Sequence, residues 1–200
     1  MAKKAKARAT RRQPTTAKRK AKSSTRKKAK AAAASKNVKR KRAANFKVFI
    51  AWSGDKSKAV GSKLQRRFQT ILPNLKIIFS PSFTPGAAWA NRLQLSLRTA
   101  NYAILCVTKE GLDSRWMNFE AGAAWKALRQ NSVCPLLLNV EANDLSGPLS
   151  LFQAKRFARE DFEQLCIYLG SKARTNANVV RQNLDAVWIR LEDEVKEILK

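Results

Sequence analysis

Four short, mostly apolar runs alternate between positions 46 and 138 with longer stretches whose apolar residues return every three or four places. The runs are Phe46–Trp52 (FKVFIAW), Lys76–Phe79, Asn101–Thr108 (NYAILCVT) and Val133–Leu138. A short run without polar alternation suits a strand buried on both faces. Between the runs, Ser57–Leu72 carries Val60, Leu64, Phe68, Ile71 and Leu72 at helical spacing, and Pro73-Asn74 ends it. Ala87–Thr99 sets Trp89, Leu93 and Leu97 at i, i+4 and i+8, and Asp113-Ser114 offers an N-cap for a helix over Arg115–Arg129. Ala154–Phe157 is a candidate fifth strand. The alternation predicts an α/β, flavodoxin-like fold: a parallel sheet of four or five strands, ordered 2-1-3-4-5, with helices on both faces. Ligands of such sheets bind beyond the C-terminal strand ends, at the switch in strand order. That directs attention to the loops after Trp52, Phe79 and Thr108.

The C-terminal stretch Asn178–Lys200 predicts one amphipathic helix, with Val180, Leu184, Val187, Leu191, Val195 and Ile198 on a stripe. The stripe either docks on the body or makes part of a helix–helix contact between copies. The expected organisation is a tail over 1–45, a domain over 46–157 and a helical extension over 158–200 that packs on it.

Charge sets the tail apart. Residues 1–45 hold 19 Lys and Arg and no acid, whereas 46–200 hold 22 basic and 14 acidic residues. Apart from Met1, the only tail residue that is apolar and larger than Ala is Val38. Such a segment buries too little surface to offset its ordering entropy and is expected to be disordered when free. Its composition resembles the lysine-rich tails of histone-like proteins. Spaced cations without aromatics suit the phosphate backbone of DNA or RNA, not base readout or stacking.

Residue types that are missing exclude further classes. The chain has no histidine, so Ser-His-Asp and Cys-His catalysis and His-ligated zinc are ruled out, and no metal site is expected. Cys106, Cys134 and Cys166 are odd in number and widely spaced, which fits reduced core thiols in an intracellular protein. No apolar run approaches the ~18 residues of a membrane helix. The N-terminus has charge but no apolar segment behind it, so no secretory signal is expected. The expected location is cytoplasmic, with nucleoid association through the tail. Glycine-rich phosphate cradles of the GxGxxG or GxxxxGK type are absent, which argues against dehydrogenase and P-loop chemistry.

Three segments, in order, resemble the Toll/interleukin-1 receptor (TIR) domain in its bacterial form. VFIAWSGDKS, Val48–Ser57, is similar to the family's first box, although Ala51 stands where Ser is usual. SFTPGAAW, Ser82–Trp89, is similar to the loop into the second helix, without the acid that often precedes Pro-Gly. LDSRWMNFEAGAAWKAL, Leu112–Leu128, is similar to the Ser-x-Trp-x-x-x-Glu stretch that holds the catalytic glutamate of NAD-consuming members.

The resemblance implies an NAD+ hydrolase (nucleosidase) or cyclase that cleaves the nicotinamide–ribose bond, in bacterial defence or stress signalling. NAD+ is then substrate, not cofactor, and the protein self-associates through TIR–TIR contacts. Glu120 is the implied catalytic residue. Nicotinamide leaves without protonation, so one carboxylate that stabilises the ribosyl cation suffices. A capping box from Ser114 would place its acid at Met117, so capping does not explain Glu120. Trp52, Phe83, Trp89 and Trp116 are candidates to line the substrate site, each with a core role as the alternative. Ser53, Gly54, Pro85, Gly86 and Ser114 complete the expected substrate contacts. Two other readings stand beside this one: a non-catalytic TIR adaptor, and a nucleic-acid-binding protein with a TIR-like sensor body.

Overall fold

The computed structural model describes residues 46–80, 87–128 and 132–200, apart from the side chains of 87–90. The expectations for the tail over 1–45 lie outside the described residues. Strands β1 (Lys47–Trp52), β2 (Lys76–Phe79), β3 (Tyr102–Val107), β4 (Val133–Leu137) and β5 (Lys155–Arg156) form one sheet ordered β2-β1-β3-β4-β5. Every adjacent pair is parallel. Among the described residues there are six α-helices: α1 (Asp55–Ile71), α2 (Ala87–Thr99), α3 (Arg115–Ala127), α4 (Arg159–Lys172), α5 (Ala177–Asp185) and α6 (Trp188–Leu199). The flavodoxin-like order expected from the alternation is the order observed.

The strands read as uniformly apolar because each feeds two cores. Val48, Ile50, Ile104, Cys106 and Leu136 pack with Leu64, Phe68, Phe162 and Leu191 on the face covered by α1, α4, α5 and α6. Phe49, Ala51, Leu105, Val107 and Leu137 pack with Leu93, Leu97, Met117 and Ala121 of α2 and α3 on the other. The fifth strand is only two residues long. Its partners are Leu136 and Leu137, immediately after Pro135, which has no N–H to give a neighbouring strand.

The single helix expected over Asn178–Lys200 is two helices. Val187 leaves helical geometry at φ −121°, between α5 and α6. The turn buries Trp188, whose ring lies 5.3 Å from Phe157 and 5.6 Å from Phe162. Burying a large aromatic among aromatics offsets the i→i−4 hydrogen bonds lost at the break, where Val187 N instead donates to Leu184 O at 3.1 Å. α6 then lies along α1, where Glu194 accepts a hydrogen bond from Arg67 at 2.7 Å and ion-pairs with Lys63 at 3.5 Å. The crossing of α4 and α5 is close enough that a Cβ on Gly170 would come within 2.8 Å of Val180 Cγ2. Among the described residues, no helix is long and apolar enough to cross a membrane.

Candidate active site

From β1 the chain adds β2 on one side and then β3 on the other. The C-terminal ends of these three strands therefore border the switch point where α/β sheets hold ligands. Residues from four segments meet there.

β1 ends in Trp52, Ser53 and Gly54. Gly54 has φ +89°, a conformation open to glycine and strained for other residues, and it turns the chain straight into α1. Ser57, one turn inside α1, ties the corner: its Oγ accepts from Ser53 N at 2.8 Å and donates to Ser53 O at 2.7 Å. The Trp52 indole stacks on Phe79 at 6.0 Å and donates to the Ser80 carbonyl at 3.1 Å. The ends of β1 and β2 are thus joined side chain to backbone. Ser114 caps α3 by accepting from Met117 N at 3.2 Å, and its Oγ lies 2.5 Å from Ser53 Oγ. The cap expected at Ser114 is present and also links α3 to the first loop.

Glu120, in the second turn of α3, is completely buried. Ser80 Oγ, itself 2 % exposed, donates to Glu120 Oε1 at 2.5 Å. Oε2 is buried and accepts no hydrogen bond of good geometry. Burial pushes the carboxyl up to about 8; the Ser80 hydrogen bond and the Trp116 side chain, one turn back, oppose that rise without cancelling it. Among the described residues, no Lys or Arg pairs with Glu120. In β3, burial pushes the Cys106 thiol up to about 12, with the charge of Glu120 as a smaller cause. That thiol is a core group and not a nucleophile.

The structure thus brings together Trp52, Ser53, Ser114, Trp116 and Glu120, with Gly54 at the turn. Phe83, Pro85 and Gly86 lie outside the described residues, as does the side chain of Trp89. Ser80 and Ser57 are the site residues that sequence reasoning missed. Nothing local marks Ser80, whose partner is 40 positions away. Neither of two cavities among the described residues holds Glu120: one of about 600 Å³ begins at the N-terminal ends of β3 and β4, and one of about 450 Å³ lies between α2 and α3.

The TIR domain model matches residues 48–166, from β1 into α4. The chain belongs to the TIR domain family. Comparison with curated proteins gives no match. Among solved structures, the SEFIR domain of interleukin-17 receptor B is 15% identical, with a TM-score of 0.45, over 64% of this chain and 96% of that one. The NanR protein of Vibrio vulnificus, in complex with ManNAc-6P, is 17% identical with a TM-score of 0.34, over 79% of this chain and 56% of that one. At these TM-scores neither likeness bears on what the TIR chain does.

The Ser80 hydrogen bond favours the ionised form of Glu120, so Ser80→Ala should raise that group's pKa further. Carbon-detected NMR titration of the glutamate carboxyls reads this directly. A Glu120 midpoint that stays put or falls in the variant would show that the bond does not form in solution.

Proposed function

We propose that this TIR domain cleaves NAD+ at the nicotinamide–ribose bond, as a nucleosidase or a cyclase, with Glu120 as the catalytic carboxylate. The observation that supports this most is the buried carboxyl of Glu120 at the sheet's switch point, which no described cation pairs with. A carboxyl without a paired cation is costly to bury, and such groups concentrate where chemistry uses them.

In the reaction the C1′–N bond breaks and its electron pair goes to the nicotinamide nitrogen, which leaves neutral. Positive charge develops over C1′ and the ring oxygen. The Glu120 carboxylate stabilises it through space, and Oε2 is the acceptor left for a ribose hydroxyl. Water adds at C1′ and releases its proton to give ADP-ribose; an adenine nitrogen adding in its place gives the cyclic product. Trp52 and Trp116 offer aromatic surface for the bases, and Ser53 and Ser114 offer hydroxyls. We propose a role in defence or stress signalling, and nucleic-acid binding through the phosphate-seeking cations of residues 1–45.

The complete burial of Glu120 also favours a second reading, a TIR domain that only binds other TIR domains. On the first reading, burial means that substrate gains access when neighbours of Glu120 are displaced, and self-association is the event we propose for it. Specific activity should then rise with enzyme concentration from nanomolar to micromolar. Strictly proportional turnover would contradict that step.

The pH profile tests the catalytic assignment. With the free-enzyme carboxyl at about 8, kcat/KM for NAD+ should climb about tenfold per pH unit from pH 6 and bend near pH 8, roughly 50-fold overall. A flat profile over that range, or a bend near the ordinary carboxyl value, would remove Glu120 as the group that must ionise.

A further inference from the structure

The edge of the sheet opposite the Glu120 site carries a charge pattern that the NAD+ reading does not use. In a parallel sheet the strand N-termini and the C-termini of the helices that connect the strands share one edge. Here that edge presents Lys47, Lys76, Arg98, Lys126, Lys172 and Arg174, all exposed except the half-buried Lys47. None of the six is ion-paired with a described residue. The adjoining segments 72–76, 98–102, 126–128 and 171–178 contain no Asp or Glu. Cations at the ends of α2, α3 and α4 complement the helix dipoles, which accounts for Arg98, Lys126 and Lys172. It does not account for Lys47 and Lys76, register partners on adjacent strands whose like charges repel. The segment 1–45, with 19 cations and no acid, immediately precedes Phe46 in the sequence.

The same edge also displays aromatic rings. The cavity of about 600 Å³ opens between Trp125 at the end of α3 and Tyr168 in α4, with Tyr102 and Phe152 in its wall. Trp125 is 55% exposed and Tyr168 39%, so both rings present accessible surface beside the cavity. Phe152 supports Trp125 edge-on at 6.4 Å, Tyr102 backs Tyr168 at 5.5 Å, and Lys172 Nζ sits 5.0 Å over the Tyr168 ring. No described Asp or Glu lines the cavity, and Asp161, three residues before the lining Gln164, is paired with Lys155 and Arg156.

We propose that this edge binds single-stranded nucleic acid, with the six cations tracking phosphates and Trp125 and Tyr168 stacking on bases. Charge complementarity selects a polyanion, and exposed, pre-positioned rings among cations select unpaired bases over a duplex whose bases are already stacked. The tail has no aromatic residue and cannot supply that preference.

The test uses the full chain and a fluorescent oligo-dT, with a duplex of equal length beside it, in anisotropy titrations over a range of salt. Trp125→Ala with Tyr168→Ala should weaken oligo-dT binding roughly 10- to 100-fold and leave the duplex nearly unchanged. Trp125→Phe with Tyr168→Phe should restore much of the loss. Lys47→Gln with Lys76→Gln and Lys172→Gln should reduce the single-strand salt slope by about 2. All substituted side chains are at least partly exposed, and melting temperatures verify folding. Unchanged oligo-dT affinity in the aromatic pair would overturn the proposal and leave binding to the tail alone. Equal losses on single strand and duplex would overturn the stacking role. Loss of self-association with unchanged oligo-dT affinity would assign the edge to a second copy of the chain. An unmodified protein that binds no nucleic acid would refute both the tail reading and this one. The NAD+ assignment would stand in every case, because none of these residues belongs to the Glu120 site.

Discussion

Glu120→Gln is expected to stabilise the fold at pH 8 by on the order of 3–5 kcal/mol relative to its effect near pH 4.5. The sign follows from where the protons sit. Burial raises the folded carboxyl to about 8, while in the unfolded chain it titrates near its ordinary value of 4.5. Below the unfolded value both states hold the proton, and the group costs nothing. Between the two values only the folded state holds it, so stability falls as pH rises, by about 1.4 kcal/mol per unit, until the folded group ionises near 8. Glutamine does not titrate and keeps the acceptor that Ser80 Oγ uses. Its amide brings N–H groups to the place of Oε2, and an unpaired one costs about 1–3 kcal/mol at every pH. The informative quantity is therefore the change in the variant-minus-parent difference with pH. For a chain of this size each kcal/mol moves Tm by roughly 2–4 °C, so the Tm difference should widen by about 10 °C between the two pH values. A difference that does not change with pH would mean that Glu120 ionises normally and is not buried in solution.

A site that weakens its own fold is informative in itself. Replacing a buried carboxyl that no described cation offsets with a neutral group is an easy stabilising change, and chains keep such groups where activity requires them. The other described carboxylates are treated differently. Glu194 sits among Arg67, Lys63 and Arg190, and Arg67 and Lys63 hold it below the ordinary range despite the opposing effect of burial. Glu110 is exposed, bonds Lys56 at 3.0 Å and lies below its ordinary value through a hydrogen bond with its own backbone and the Lys56 contact. Both are where an electrostatic account of folding alone would place them. Glu120 is not.

The sheet was legible because its strands are apolar on both faces. Val48–Ala51 and Ala103–Val107 must satisfy a core on each side, and that leaves no polar alternation to confuse with a surface strand. The extension expected over 158–200 divides into three helices, the first with Phe162, Leu165, Cys166 and Leu169 buried at helical steps. The break at Val187 was not legible. Leu184, Val187 and Leu191 keep helical spacing across it, and the force that bends the chain is the aromatic cluster around Trp188, whose members Phe157 and Phe162 lie far back in sequence. The site divides in the same way. Glu120, Trp116 and Ser114 share one helix, and local spacing picks them out. Ser80 lies on another strand's end, and only the pairing of β2 beside β1 brings it to the carboxyl.

Nicotinamide release from NAD+ by the unmodified protein and by Glu120→Gln, at a concentration that supports assembly and near pH 8, tests the central claim most directly. The substitution keeps shape and acceptor and removes the charge. If that charge supplies ~3–4 kcal/mol to the transition state, release should fall about 100- to 1,000-fold. The fold should be at least as stable, and Glu110→Gln and Glu141→Gln, at exposed carboxylates outside α3, should be nearly silent. Release by Glu120→Gln at the unmodified rate would contradict the assignment of Glu120, and no release by the unmodified protein would leave the TIR domain an interaction module.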